Sequence, residues 1–195
     1  CIVVVPEDAS AVKLANIERY GGEIRLCEPT LEARESVLAG VVAETGAAFV
    51  HPYDNAAVIA GQGTATFELM EVAGSLDDIV TPVGGGGLLA GAALAADGHA
   101  LVWGAEPVGA DDAARSFRAG TRVTGHEPDT ICDGLRTLLG ELNFQIIASR
   151  CAGIVTASDQ QTLAALRLLW GILKQVVEPS AAVTLAAILA SPERF

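Results

Sequence analysis

An α/β fold with mainly parallel strands is predicted by three observations. Short apolar runs alternate regularly with helical stretches along the chain. Four consecutive glycines, Gly84 to Gly87, join one apolar run to a small-residue helical segment. Hydrophobic residues make up 51% of the 195, enough for a sizeable core in one ordinary domain or two small ones.

In chain order, Ile2 to Val5 reads as a buried strand, Ser10 to Tyr20 as a helix, and Gly21-Gly22 as its stop. Glu23 to Cys27 is a second strand. Thr30 to Thr45 is a helix with Glu32, Arg34 and Glu35 on a solvated face, ended by Gly46. Ala47 to His51 is expected as a third strand and Ala56 to Ala73 as a helix whose start Gly61 and Gly63 weaken. The glycine unit follows: strand Ile79 to Val83, helix Leu88 to Ala96, strand Ala100 to Ala105. A short helix is expected over Asp111 to Arg118, and helix again from Phe144 to Arg150. Strand Gly153 to Val155 precedes a helix from Ser158, its N-cap, to Lys174; a final helix spans Ser180 to Ala190.

Composition excludes several functions. A formal charge of −12 argues against a nucleic-acid surface, which needs a basic face. No apolar run reaches the ~18 residues that suggest a membrane span. Cys1, Cys27, Cys132 and Cys151 are scattered with no C-x-x-C, which favours reduced thiols in a cytoplasmic protein. His51, His99 and His126 have no partners at metal or triad spacing and read as core or loop histidines.

The glycine run carries the chemistry. Glycines can turn sharply and aim several backbone N–H groups at one spot. A helix starting there adds unpaired N–H groups and a positive dipole end, which suit a phosphate. Taken alone, the loop allows two ligands. Gly85-x-Gly87-x-x-Ala90, with Glu106 ending the next strand, formally matches a dinucleotide pattern, though a glycine run fits many such patterns. The Walker A pattern fails, since no Lys-Ser/Thr follows. Separately, Glu106 with Ala110-Asp111-Asp112, at a strand end and helix start, is a carboxylate group that suits Mg²⁺ or Ca²⁺.

The companion words decide between the phosphates. His51-Pro52-Tyr53-Asp54, Val58-Ile59-Ala60-Gly61-Gln62-Gly63-Thr64, Pro82-Val83-Gly84-Gly85-Gly86-Gly87-Leu88, Gly104-Ala105-Glu106-Pro107, Cys132-Asp133-Gly134-Leu135 and Glu178-Pro179-Ser180 occur in that order. Together they closely resemble the serine/threonine dehydratase and serine racemase family, pyridoxal-phosphate enzymes of the tryptophan-synthase-β-like fold (fold type II). The likeness covers essentially the whole chain. It implies a two-domain parallel-sheet architecture, with residues 1–53 forming most of the small domain and 54–195 an incomplete large one.

The resemblance also implies roles. Gly84, Gly85, Gly86, Gly87 and the N–H of Leu88 would cradle the 5′-phosphate of pyridoxal phosphate, with Gly134 beside its ring and Glu178 near the far edge. Glu106, the carbonyl of Ala110 and Asp112 would bind a divalent cation, with Asp77 acting through water. Tyr20 and Lys174 match positions near a nucleotide effector in the racemases, against the plainer reading of helix-end residues. A homodimer is implied as well. The implied activity is dehydration of serine, threonine or another β-hydroxy amino acid to a 2-oxo acid and ammonia, with serine racemisation as the alternative. A nucleotide-binding module and a catalytically dead remnant are the other classes.

One further part is expected elsewhere. Such an enzyme needs a lysine that forms a Schiff base with the cofactor aldehyde, yet Lys13 and Lys174 are the only lysines and neither sits in a Ser-Phe-Lys type of segment. The chain also starts at Cys1, not Met, inside a strand-like run. The expectation is a fragment without a catalytic residue of its own, whose lysine lies upstream of Cys1. Ala181 stands where the family commonly has Gly, and the helix after the glycine loop is a few residues short.

Overall fold

The computed structural model describes residues 1–195, apart from the side chain of Leu31, and they divide into two compact units, Cys1–Val50 and His51–Phe195. In the first unit, β1 (Ile2–Pro6) pairs in parallel with β2 (Glu23–Cys27), Ile2 opposite Glu23 and Pro6 opposite Cys27. The crossover between them is α1 (Ala11–Arg19), and α2 (Leu31–Thr45) packs against both strands. Thr30 caps α2 by accepting from the Ala33 amide, and Gly46 closes it at φ +67°.

The expected third strand, Ala47 to His51, does not form. The stretch belongs to neither sheet, and Ala47 to Val50 are exposed at the end of the first unit. A β-prone run becomes a strand only where a neighbouring edge receives its N–H and C=O groups.

The second unit is a parallel sheet in the order β3 (Asp78–Pro82), β4 (Leu101–Pro107), β5 (Gly153–Ala157). Side chains of β4 alternate between two cores, as a strand buried on both faces requires. Val102 joins Ile59, Leu89, Ala113 and Ile147 on one face. Trp103 and Ala105 join Val155, Ala165, Val183 and Ala187 on the other. The first core lies under α3 (Ala56–Ala73), α4 (Gly87–Ala96), α5 (Asp112–Ala119) and α6 (Glu141–Arg150). The second lies under α7 (Asp159–Leu168) and α8 (Pro179–Ala190).

Two helices differ from expectation for identifiable reasons. The stretch from Ser158 to Lys174 is helical throughout but changes winding. Ser158 and Gln161 form a reciprocal capping box at the start of α7, a π turn occupies Leu169–Leu173, and Lys174 leaves it at φ +57°. Helix α6 begins at Glu141, ahead of Phe144, because its cap comes from far away in sequence. The Asp54 carboxylate accepts from the amides of Glu141 (3.0 Å), Leu142 (3.0 Å) and Asn143 (3.2 Å).

Gly63 has a packing role in α3, whereas Gly61 meets nothing within 4 Å. At Gly63 a Cβ would stand 2.9 Å from the Gly91 carbonyl oxygen, and at Gly91 it would stand 2.5 Å from that of Ile59. The backbones of α3 and α4 touch there. Helix α4 in turn packs against β3 and β4.

Candidate active site

The glycine run links the end of β3 to the first turn of α4, at the carboxyl edge of the parallel sheet. Each glycine is required by a neighbour. A Cβ at Gly84 would lie 3.0 Å from the Leu135 Cα; at Gly85, 2.3 Å from the Tyr53 ring; at Gly87, 3.1 Å from the Tyr53 carbonyl oxygen. Gly86 adopts φ +90°, and its Cβ would meet Leu139 Cδ1 at 2.5 Å. All four are buried, yet among the described residues no protein group accepts from the amides of Gly84, Gly85, Gly86, Gly87 or Leu88. Buried backbone donors are normally paired, so this loop is built to face an acceptor that the protein itself does not supply.

The other predicted cofactor residues gather beside it. The carbonyl of Gly134 lies 3.3 Å from a Cβ placed at Gly84, and Gly134 donates its N–H to Ser180 Oγ at 3.0 Å. Glu178 Oε1 would stand 3.2 Å from a Cβ at Gly134, so a side chain there would fill the space these groups frame. Sequence reading missed Ser180 as a partner of Gly134, Tyr53 as the wall against Gly85, and Asn143 as a buried donor to the Gly85 carbonyl. Tyr53 and Ser180 sit inside recognisable words; Asn143 has no local signal.

The second cluster lies where β4 gives way to a 3-10 turn over Val108–Ala110 and then to α5. Glu106, 0% exposed, accepts from the amides of Ala113 (3.1 Å) and Ala114 (2.8 Å). It thereby caps α5 from inside the fold. Both Glu106 oxygens are thus engaged by the first turn of α5. Asp112 Oδ2 accepts from Leu139 N at 2.8 Å, and Asp112 Oδ1 is buried with no hydrogen-bond partner among the described residues. His126, expected as a plain core or loop residue, places Nε2 3.7 Å from that oxygen. Asp111 turns away to pair with Arg115 at 2.8 Å.

Asp77 does not belong here. It precedes β3 and its carbonyl accepts from Leu101 N, at the opposite end of the sheet from Glu106. At ~3.3 Å per residue the two are separated by roughly 20 Å, too far for one shared water. Among the described residues, no three His, Cys, Asp or Glu side chains stand close enough to enclose a metal ion. Tyr20, exposed at the end of α1, lies in the first unit, whereas Lys174, whose ammonium donates to the Gly171 carbonyl, lies in the second.

Burial pushes the Glu106 carboxyl up from 4.5 to about 9, opposed by the Ala114 and Ala113 amides and reinforced by Asp112 and Asp111. Burial raises Asp112 too, against the Leu139 amide and His126. Between 4.5 and about 9 the folded chain therefore keeps a proton at Glu106 that the unfolded chain has released. Stability is greatest below that window, falls as pH rises through it, and levels off above it. Melting temperatures of the cation-free chain, measured in a pH series, are expected to decline across the window; a flat or rising curve contradicts the buried proton.

Comparisons with known proteins give the family. A family model described as "Pyridoxal-phosphate dependent enzyme" matches residues 1–195. Serine racemase of Dictyostelium discoideum is 47% identical over 194 residues, which are 97% of this chain and 60% of that protein. The β-hydroxyaspartate dehydratase of Paracoccus denitrificans is 46% identical over 198 residues, 100% of this chain and 63% of that one. Among solved structures, the Dictyostelium racemase superposes with a TM-score of 0.90, covering 97% of this chain and 62% of its own. A T.th. threonine deaminase does so with a TM-score of 0.92 at 45% identity, covering 100% and 65%. The chain thus spans less than two thirds of the length of these relatives.

Proposed function

Because this chain belongs to the pyridoxal-phosphate-dependent enzyme family, we propose that it supplies the phosphate cup and ring floor of an ammonia-lyase acting on β-hydroxy amino acids. The observation that carries this reading is the set of five buried-loop amides, Gly84 to Leu88, with no protein acceptor, in a cradle that any Cβ would fill. A phosphate dianion fits such a donor set, and the N-terminus of α4 adds to its hold. When bound, pyridoxal phosphate supplies an electron sink for charge developing at the substrate's Cα.

The chain's own residues take the remaining parts. Gly84 to Gly87 and Leu88 would hold the phosphate oxygens, Gly134 would leave room for the ring, and Glu178 would stand near its edge. Glu106, the Ala110 carbonyl and Asp112 would hold a divalent cation, a reading supported by the bare Asp112 Oδ1 and by the charge burial that raises both carboxyls. Neither lysine is assigned to the cofactor aldehyde: Lys174 engages the Gly171 carbonyl beyond a π turn, and Lys13 lies on α1 of the first unit. The isolated chain is therefore expected to be inactive. The resemblance carries two further proposals, a homodimer and a nucleotide effector at Tyr20 and Lys174, and the scattered cysteines carry a third, a cytoplasmic location. No helix is long and apolar enough to cross a membrane.

Racemisation is the second reading, because the 47% identical relative is a serine racemase. One experiment separates the two. Residues 1–195 are exchanged for the matching segment of the Dictyostelium racemase, and the chimera is offered L-serine, L-threonine and 3-hydroxyaspartate. Release of ammonia and 2-oxo acid exceeding D-serine formation is the expected result. Predominant D-serine supports the second reading, and a folded, cofactor-loaded chimera that makes neither product contradicts both.

A further inference from the structure

We infer that Asn143 is a positioning residue that sets the phosphate cup by fixing the plane of the Gly85–Gly86 peptide. The inference rests on the cup reading above and concerns a side chain that the cofactor would not touch. Asn143 is 0% exposed on the first turn of α6. Its Nδ2 donates to the Gly85 carbonyl at 2.7 Å and to the Tyr53 carbonyl at 3.1 Å. Both partners are acceptors only, so the orientation of the amide is fixed by chemistry. The Gly140 amide donates to the same Gly85 oxygen at 3.0 Å.

In a trans peptide the C=O of one residue and the N–H of the next point to opposite sides, and the chain has no cis bonds. Two donors holding the Gly85 oxygen therefore turn the Gly86 N–H away from α6. The Gly86 carbonyl is in turn committed to α4, accepting from Ala90 N at 2.9 Å. With both carbonyls held, neither oxygen can swing toward the space the amides face, where it would repel a phosphate. Glycine peptides flip easily, so a loop of four needs such an anchor.

Stability alone does not explain this side chain. Asn143 Oδ1 is buried and accepts no hydrogen bond among the described residues, a state that is costly to maintain. A leucine of similar volume would escape that penalty. What the leucine would lack is the Nδ2 donor. The same turn is anchored to the cup's wall, since Asp54, next to Tyr53, accepts from the Asn143 amide.

The test is titration calorimetry of the 195-residue chain with pyridoxal 5′-phosphate, pyridoxal and inorganic phosphate, each variant checked by its melting curve. Asn143→Asp keeps the size but sets a carboxylate oxygen against the two carbonyls. It is expected to weaken pyridoxal 5′-phosphate and inorganic phosphate by about tenfold to a hundredfold while pyridoxal changes little. A merely structural residue would lower the melting temperature and weaken all ligands alike. If the Asp variant does not fold, Asn143→Ala, which retains the Gly140 bond, is expected to show the same selective loss at smaller size. An unchanged preference for phosphate-bearing ligands in the folded variant overturns the inference but leaves the cup reading intact. A wild-type chain that binds pyridoxal 5′-phosphate no better than pyridoxal overturns both.

Discussion

Gly86→Ala is expected to cost about 2–5 kcal/mol of stability and to abolish measurable binding of pyridoxal 5′-phosphate. The new Cβ would be forced onto φ +90° and would stand 2.5 Å from Leu139 Cδ1 and 3.0 Å from Asn143 Cβ. Leu139 can shift, being the end of a flexible side chain; Asn143 cannot shift without releasing the Gly85 carbonyl. Strain and crowding are separable by a control. Gly120 sits at φ +67° with nothing within 4 Å of its would-be Cβ, so Gly120→Ala reports backbone strain alone and leaves cofactor binding untouched. Urea unfolding and calorimetry on both variants check the pair. Equal losses in the two would show that crowding at Gly86 is immaterial.

The second large effect is structural. Gly91→Val is expected to destabilise the second unit by at least about 3 kcal/mol, a large share of the ~5–15 kcal/mol that holds a typical domain. Its Cβ would stand 2.5 Å from the Ile59 carbonyl and 2.6 Å from the Gly63 nitrogen, and backbone atoms on both sides leave only helix separation as relief. Opening α3 from α4 would also strip cover from Ile59 and Leu89, which are 2% and 0% exposed. Gly61 gives the opposite sign: exposed on α3 with nothing within 4 Å, Gly61→Ala is expected to gain about 0.5–1 kcal/mol. Denaturant midpoints measure both. A stabilised Gly91→Val, or a destabilised Gly61→Ala, would contradict the packing described.

Much of the site was legible because its signals are local. Gly84 to Gly87 must fall between a strand and a helix to make sense, and Gly134 and Glu178 were placed by the words around them. What was not legible depends on partners distant in sequence. Asp54 caps a helix 87 residues away, and Asn143 holds a carbonyl 58 residues away. The three residues of the Asp54–Tyr53–Asn143 junction carry no periodicity that links them. Gly63 read as a flaw in a helix because its cause, the backbone of α4, lies across a tertiary contact. Ala47 to His51 had strand composition but no edge to join. Asp77 failed for a related reason: a carboxylate next to a strand can belong to either end of the sheet, and only the register tells which.

Neither departure expected from the family pattern falls on the cup. The short helix α4 ends at Asp97 and Gly98, both at positive φ, on the far side from Gly86. Ala181 lies on the first turn of α8, whose Ser180 still receives the Gly134 amide. The donor set at Gly84 to Leu88 is therefore untouched by either change.

The central claim is that these five amides receive the phosphate of pyridoxal phosphate. The most direct measurement is an amide-resolved NMR titration of the ¹⁵N-labelled chain with pyridoxal 5′-phosphate and, separately, with pyridoxal. The amides of Gly84 to Leu88 are predicted to shift together with the phosphate ester and to stay in place with pyridoxal. Binding that moves other amides while those five remain still would contradict the claim.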